Sequence, residues 1–211
     1  MTNFIPIFPL ALVIYPGEQL NLHIFEPRYK QLIKESNEQK KPFGIPAVIN
    51  NKINEMGTLV EVTEIAEVYD DGEMDIKTRG LKIFRILEVI KDVPDKLYSG
   101  AIVNYPDNND AGNRKLMQKV MKGVGELHAI LKVEKDFKKN PDELNSYDVA
   151  HHIGLSQDEE YEMLGLFTEL QRQEYLKRHL TRVLPVLAGM ENLKEKIKLN
   201  GHFKNLSSFN L

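Results

Sequence analysis

The chain has no cysteine and no tryptophan. Without a thiol there is no disulfide, no cysteine nucleophile and no thiolate zinc site, which fits a reducing compartment. No apolar stretch approaches the roughly 20 residues needed to span a bilayer. The opening MTNFIPIFPL lacks the basic region of a secretory signal and is interrupted by Pro6 and Pro9. A cytoplasmic location, with no membrane partner, is therefore the expectation. The dipeptide Gly-Lys is absent, and with it the loop G-x-x-x-x-G-K-[ST] that cradles nucleotide phosphates. A G-x-S-x-G turn presenting a serine nucleophile is absent too. The formal charge of −3 exerts no general pull on nucleic acid or anionic lipid. What remains is ordinary for a soluble protein, at 42% apolar and 28% charged over 211 residues. That length is enough for one or two domains with a real core.

The most organised stretch is Ile5 to Tyr29, IPIFPLALVIYPGEQLNLHIFEPRY. Two apolar runs, Ile5–Leu12 and Val13–Tyr15, lead into Pro16-Gly17. Proline presets the first corner of a turn and glycine takes the positive φ of the second. A third apolar run, Leu20–Phe25, reads as a strand. Glu26-Pro27 then opens a helix, since proline at the first helical position gives up no hydrogen bond and an acid there suits the helix dipole. Tyr29, Leu32 and Ile33 supply its buried stripe.

These residues also carry a resemblance. P-I-F-P-L, V-I-Y-P-G and H-I-F-E-P-R-Y, followed by Phe43-Gly44-Ile45, Gly57-Thr58, Asp71-Gly72, Arg79-Gly80 and Phe84-Arg85-Ile86, resemble the amino-terminal, substrate-binding domain of the Lon ATP-dependent proteases. Ile83 stands where the family usually has an arginine. The likeness runs in order from about residue 4 to 106 and continues only as a helical tail. It implies an α+β fold: a small bent β pseudo-barrel (PUA-like) with one inserted helix, followed by a carboxy-terminal α-helical domain. It also implies the binding part of a protease, because the chain stops before any ATPase or peptidase module. Pro16, Gly17, His23, Phe25, Glu26, Pro27, Arg28, Tyr29, Gly57 and Gly80 form the structural signature.

Further along, Pro42 to Ile49 reads as a strand that Pro46 demotes to an edge or a bulge. Asn50 to Glu55 reads as a turn, and Thr58 to Tyr69 as an alternating strand. Asp70-Asp71-Gly72 is a hairpin signal. The return strand starts at Met74, is interrupted at Arg79-Gly80 by a bulge, and resumes to Ile90. Tyr98 to Tyr105 is a last strand. Helical spacing follows from Asn113 to Val133, with Leu116, Val120, Val124, Leu127 and Leu131 as the stripe. Ser146 reads as the N-cap of Tyr147–Ile153, and Ser156-Gln157-Asp158-Glu159 as a capping box. A last helix starts near Thr168, with a kink or break at Pro185 and a second helix over Asn192–Lys198. The expected domains are 1–108 (β-rich), 109–200 (helical) and a frayed tail, 201–211.

Catalytic constellations do not emerge, and the chain reads as a non-enzyme without cofactor or metal. His151-His152 cannot chelate one ion, because adjacent helical residues point about 100° apart. His23, within an apolar run, reads as a packed, hydrogen-bonded core histidine. His128 and His179 read likewise. Asp70, Asp71, Glu73 and Asp75 read as a solvated hairpin tip, and Glu26 with Arg28 as cap and ion pair.

Function must then lie in a surface. The resemblance points to recognition of unfolded or partner polypeptides, as an adaptor or regulator of proteolysis. A sheet edge offers a physical route. Phe43, Ile45, Pro46 and Val48 on the proline-containing strand are the candidate edge. The alternative is RNA binding by the PUA-like barrel with the basic carboxy-terminal helices. Charge argues against it, since residues 1–106 hold 12 Lys or Arg against 15 Asp or Glu. The basic excess lies late, at Arg172, Lys177, Arg178, Arg182, Lys194, Lys196, Lys198 and Lys204, and reads as a solvated face. Exposed apolar faces on the last helix would favour self-association.

Overall fold

A computed structural model of the protein describes residues 2–135, 137 and 139–206, with side chains to residue 199. The chain divides into two compact units, one comprising Met1–Ala111 with Gly154–Glu169 and the other Gly112–Ile153 with Leu170–Leu211. The segment 154–169, read from sequence as part of the helical half, therefore belongs with the sheet.

The first unit contains β1 (Asn3–Pro6), β2 (Gln19–Ile24), α1 (Pro27–Gln39), β3 (Phe43–Ile49), β4 (Lys52–Val68), β5 (Met74–Ile90) and β6 (Gly100–Asn104). They form one antiparallel sheet in the order β1-β6-β5-β4-β3, with β2 pairing off this path onto β5. Strand pairing does not close the sheet. The chain after β1 spans the gap instead: Phe8 N–H donates to the Gly44 carbonyl and Leu10 N–H to the Pro46 carbonyl, while Val48 N–H donates to the Leu10 carbonyl. This lacing makes the open sheet a pseudo-barrel.

Two clusters fill much of its interior. One surrounds α1, with Tyr29, Leu32 and Ile33 against Phe8, Phe43, Ile45, Val60 and Ile76. The other holds Ile5, Ile7, Leu59, Phe84, Ala101 and Val103. Glycines allow the backbone to fold this tightly. A Cβ on Gly57 would fall on the Ile45 carbonyl, and one on Gly80 on the Tyr15 carbonyl. Gly17 takes φ +85 in its turn, the conformation glycine adopts at no steric cost. Register slips between Leu59 and Val60 leave Leu81 as an extra residue beside Gly80, which is the expected bulge. The bulge bends β5 without interrupting it. Asn50 and Asn51, both at positive φ, suffice for the β3–β4 turn, so β4 begins at Lys52 and not at Thr58. Asparagine tolerates that geometry better than most residues.

A helix, α4 (Gln157–Leu164), also belongs to this unit. Its capping box is present, with the Ser156 hydroxyl accepting from Glu159 N–H and the Glu159 carboxylate accepting from Ser156 N–H. Met56 N–H donates to the Tyr161 hydroxyl at 3.2 Å, and the Gln157 side chain donates to the Val48 carbonyl.

The second unit contains α2 (Arg114–Leu131), α3 (Ser146–Ala150) and the long α5 (Glu169–Leu206), which begins at the boundary residue. Asn113 caps α2 by accepting from Leu116 N–H at 3.0 Å. Asn145, and not Ser146, caps α3, in a capping box with Asp148. Ser146 is buried and accepts a hydrogen bond from Arg172 Nε, whose guanidinium lies 4.2 Å over the Tyr147 ring. Arg172 is thus interior and not part of a solvated basic face. His128 Nε2 donates to the His152 carbonyl, and His179 Nε2 to the Ile153 carbonyl, so both histidines serve the packing. The α5 helix runs through Pro185 unbroken and takes in both Asn192–Lys198 and residues 201–206, read from sequence as a separate helix and a frayed tail. Pro185 lacks the N–H that would bond the Thr181 carbonyl, and both residues are exposed. Residues 207–211 lie outside those described.

Candidate polypeptide-binding surface

The far end of the sheet is a ribbon of three strands, β2-β5-β4. His23 pairs with Asp75 and Ile24 with Met74 on one side, while Glu67 pairs with Asp75 and Val68 with Met74 on the other. Alternation separates two faces. Ile24, Met74 and Ile76 turn into the core. His23, Asp75 and Glu67 share the opposite, solvent face. The β3 pairing with β4 ends at Val60, so among the described residues Glu61–Val68 has a strand partner only on its β5 side. Phe25 is 58% exposed, Val68 64% and Tyr69 39%, all at this end of the ribbon.

A polar clamp holds the ribbon's outer face. His23 Nδ1 donates to Asp75 Oδ1 at 2.8 Å and Nε2 to Glu73 Oε2 at 2.9 Å. Two ring donors require the imidazolium. Hydrogen bonds to Asp75 first, and to Glu73 second, raise the His23 pKa above its ordinary 6.5. Tyr69 O–H donates to Asp75 Oδ2 at 2.7 Å. That bond, ahead of His23, holds the Asp75 carboxyl below its usual range, and it is the leading cause that pushes the Tyr69 hydroxyl up to about 12. Phe25 stacks beside His23 and Tyr69 meets it edge-on, at 6.3 and 5.9 Å between ring centres. An aromatic group with acids at its rim can cover apolar side chains and attract cationic ones. Among the described residues no three His, Asp or Glu side chains converge as a metal site requires.

The sequence-derived candidates land elsewhere. Phe43 and Ile45 are 0% and 2% exposed, Pro46 is buried and Val48 half-buried. Their strand is lined on its second edge by residues 7–10, so it offers no free edge to an incoming peptide. His23 is the second correction, being an exposed ion-paired residue and not a core histidine. A signal for it was present: Leu20-Asn21-Leu22-His23-Ile24-Phe25 alternates, which sends His23 and Phe25 outward with Asn21. Glu26 and Arg28 do form the expected ion pair, at 2.6 Å, and the guanidinium lies 4.5 Å over Tyr29. Pro27 takes the first turn of α1, although the Glu26 side chain makes no capping bond.

Comparison with known proteins agrees with this architecture. Residues 5–182 match the model of the ATP-dependent protease La (LON) substrate-binding domain. The chain belongs to the Lon substrate-binding domain family. Among solved structures, the Lon N-terminal domain protein from Xanthomonas campestris aligns at TM-score 0.62 and 23% identity, covering 82% of this chain and 96% of its own. The N-terminal domain of a Mycobacterium avium complex Lon protease aligns at TM-score 0.62 and 11% identity, over 85% and 98% of the two chains. At these identities the two structures attest the fold. The family match carries the coarser function, a substrate-binding role in proteolysis, and it is to the substrate-binding domain and not to a peptidase. Among the described residues no helix is long and apolar enough to cross a membrane.

Proposed function

We propose that this chain is a non-catalytic binding module for proteolysis, in the cytoplasm, that holds extended segments of unfolded or partner polypeptides at the β2-β5-β4 ribbon. The carrying observation is the outer half of β4, Glu61–Val68, whose backbone has a strand partner on one side only among the described residues and ends at exposed Val68 and Tyr69. An extended segment adds to such an edge through main-chain hydrogen bonds, and its side chains reach Val68 and Tyr69 at the end of the same strand, whereas Phe25 lies beyond β5 on β2. The register shifts near Thr63 and Ala66, and the glutamates at 61, 64 and 67, discourage uncontrolled pairing of the same edge. With Glu61 held by Arg79 at 2.6 Å and Glu64 by Lys77 at 2.8 Å, they fit weak, reversible capture of segments that carry apolar residues.

The test is binding of the purified chain to a permanently unfolded model protein, with folded protein and single-stranded RNA as controls. Saturable binding to the unfolded protein alone, reduced by Val68→Asp or Tyr69→Asp in folded variants, is the expected result. Salt-sensitive binding to RNA alone would sink this reading, as would peptide binding that neither substitution alters.

A further inference from the structure

A second surface lies wholly within the helical unit. Leu131, the last member of the α2 stripe, is 50% exposed, while Leu116, Val120, Val124 and Leu127 above it are buried. Leu131 and Ile130 face Leu187 and Met190 of α5 across an open groove of about 350 Å³. Along α5 the apolar surface continues through Val186, Met190, Leu193 and Ile197, each more than half exposed. Their spacing of four, three and four residues is the seam that a second helix packs against.

The charges around this seam select its occupant. Lys132, Lys194 and Lys198 line the groove. The acid among them, Glu191, is engaged by Lys194 at 3.2 Å and lies 4.0 Å from Lys132. Lys194 first, and Lys132 after it, hold the Glu191 carboxyl below its usual range. The groove therefore keeps a cationic excess. Lys194 and Lys196 flank the seam where two copies of α5 would face each other, so an antiparallel self-pairing centred on Leu193 or Ile197 would bring lysine against lysine. Like charges juxtaposed across an interface oppose it.

We propose that this groove docks an amphipathic helix of a partner polypeptide, with apolar residues along one stripe and Asp or Glu at its rims. The occupant's apolar stripe covers Leu131, Met190, Leu193 and Ile197, and its carboxylates meet Lys132, Lys194 and Lys198. This site lies in the helical unit and shares no residue with the ribbon.

The test uses the full chain and a fluorescein-labelled amphipathic peptide with leucine on one stripe and glutamate at the flanks. A control peptide carries lysine in place of glutamate. Fluorescence anisotropy should show saturable binding of the acidic peptide and at least about tenfold weaker binding of the basic one, a difference of about 1.4 kcal/mol. A Lys132→Glu, Lys194→Glu, Lys198→Glu variant and, separately, Met190→Ala should each weaken the acidic peptide about tenfold or more with helicity unchanged. Equal affinity for the two peptides, or full affinity in the lysine variant, would overturn the proposal. A dimer seen by sedimentation and dissociated by Met190→Asp would also overturn it, because the second copy would then occupy the seam. Anionic vesicles that bind the chain through Met190 while the peptide does not would do the same.

Discussion

Phenylalanine at positions 43 and 25 offers one substitution in two opposite settings. Phe43 is 0% exposed and lies in the cluster around α1, with its ring centre 6.4 Å from that of Phe8, which stacks at 3.8 Å on Tyr29. Phe43→Ala removes a ring from this stack and leaves a cavity that the laced β3 backbone restrains from collapsing. Such truncations cost about 3–5 kcal/mol, against a total stability on the order of 5–15 kcal/mol. Phe25→Ala removes a side chain that is 58% exposed and whose ring contact is with the exposed His23. Surface truncations of this kind cost about 0.5 kcal/mol or less. Urea denaturation followed by near-ultraviolet circular dichroism, which reports tyrosine packing in a chain without tryptophan, should separate the two midpoints widely. Polypeptide binding should persist in both variants while they are folded, because Phe43 is interior and Phe25 lies beyond β5 from the open edge of β4. A Phe43→Ala chain within about 1 kcal/mol of the parent would refute the assignment of β3 to the core.

Other consequences can be checked with single variants. The His23 clamp should stabilise fully below about pH 6.5 and be lost as pH rises through the raised value, because the folded pKa exceeds the unfolded one. An NMR titration should place the His23 midpoint above 6.5, and Asp75→Asn should move it down; a midpoint at or below 6.5 in the parent would refute the clamp. Gly57→Ala should destabilise by about 1–3 kcal/mol or more, since its Cβ would meet the Ile45 carbonyl and Phe84; a neutral thermal melt would contradict that contact. Asn145→Ala should cost about 1 kcal/mol as the loss of an N-cap. Pro185→Ala should raise helical stability by up to about 3 kcal/mol, read from the thermal midpoint at 222 nm, because α5 already runs through this position.

Much of the fold was legible because local chemistry and tertiary structure agree in it. Pro27, the Ser156–Glu159 box, the Asp71-Gly72 hairpin tip and the bulge beside Gly80 each depend on backbone geometry within a few residues. The site was less legible because exposure is set by what arrives from elsewhere in the chain. Leu131 continues the period of the α2 stripe, yet it lies at the end of that helix where the groove opens. Arg172 reads as a surface cation until Tyr147 and Ser146 enclose it.

Proline 46 shows the difficulty most clearly. A proline in a strand means that one backbone N–H is missing, which is tolerated at an open edge or beside an irregular neighbour. Sequence alone does not distinguish the two cases. Here the neighbour is the run of residues 7–10, which uses the Pro46 carbonyl as an acceptor for Leu10 N–H and then switches direction to accept from Val48 N–H. The proline sits where the lacing needs only an acceptor. The same residue that suggested an open edge in β3 thus marks the seam that closes it. Among the described residues the strand edge without a partner lies beyond Val60, where β4 outruns β3 by about half of its 17 residues.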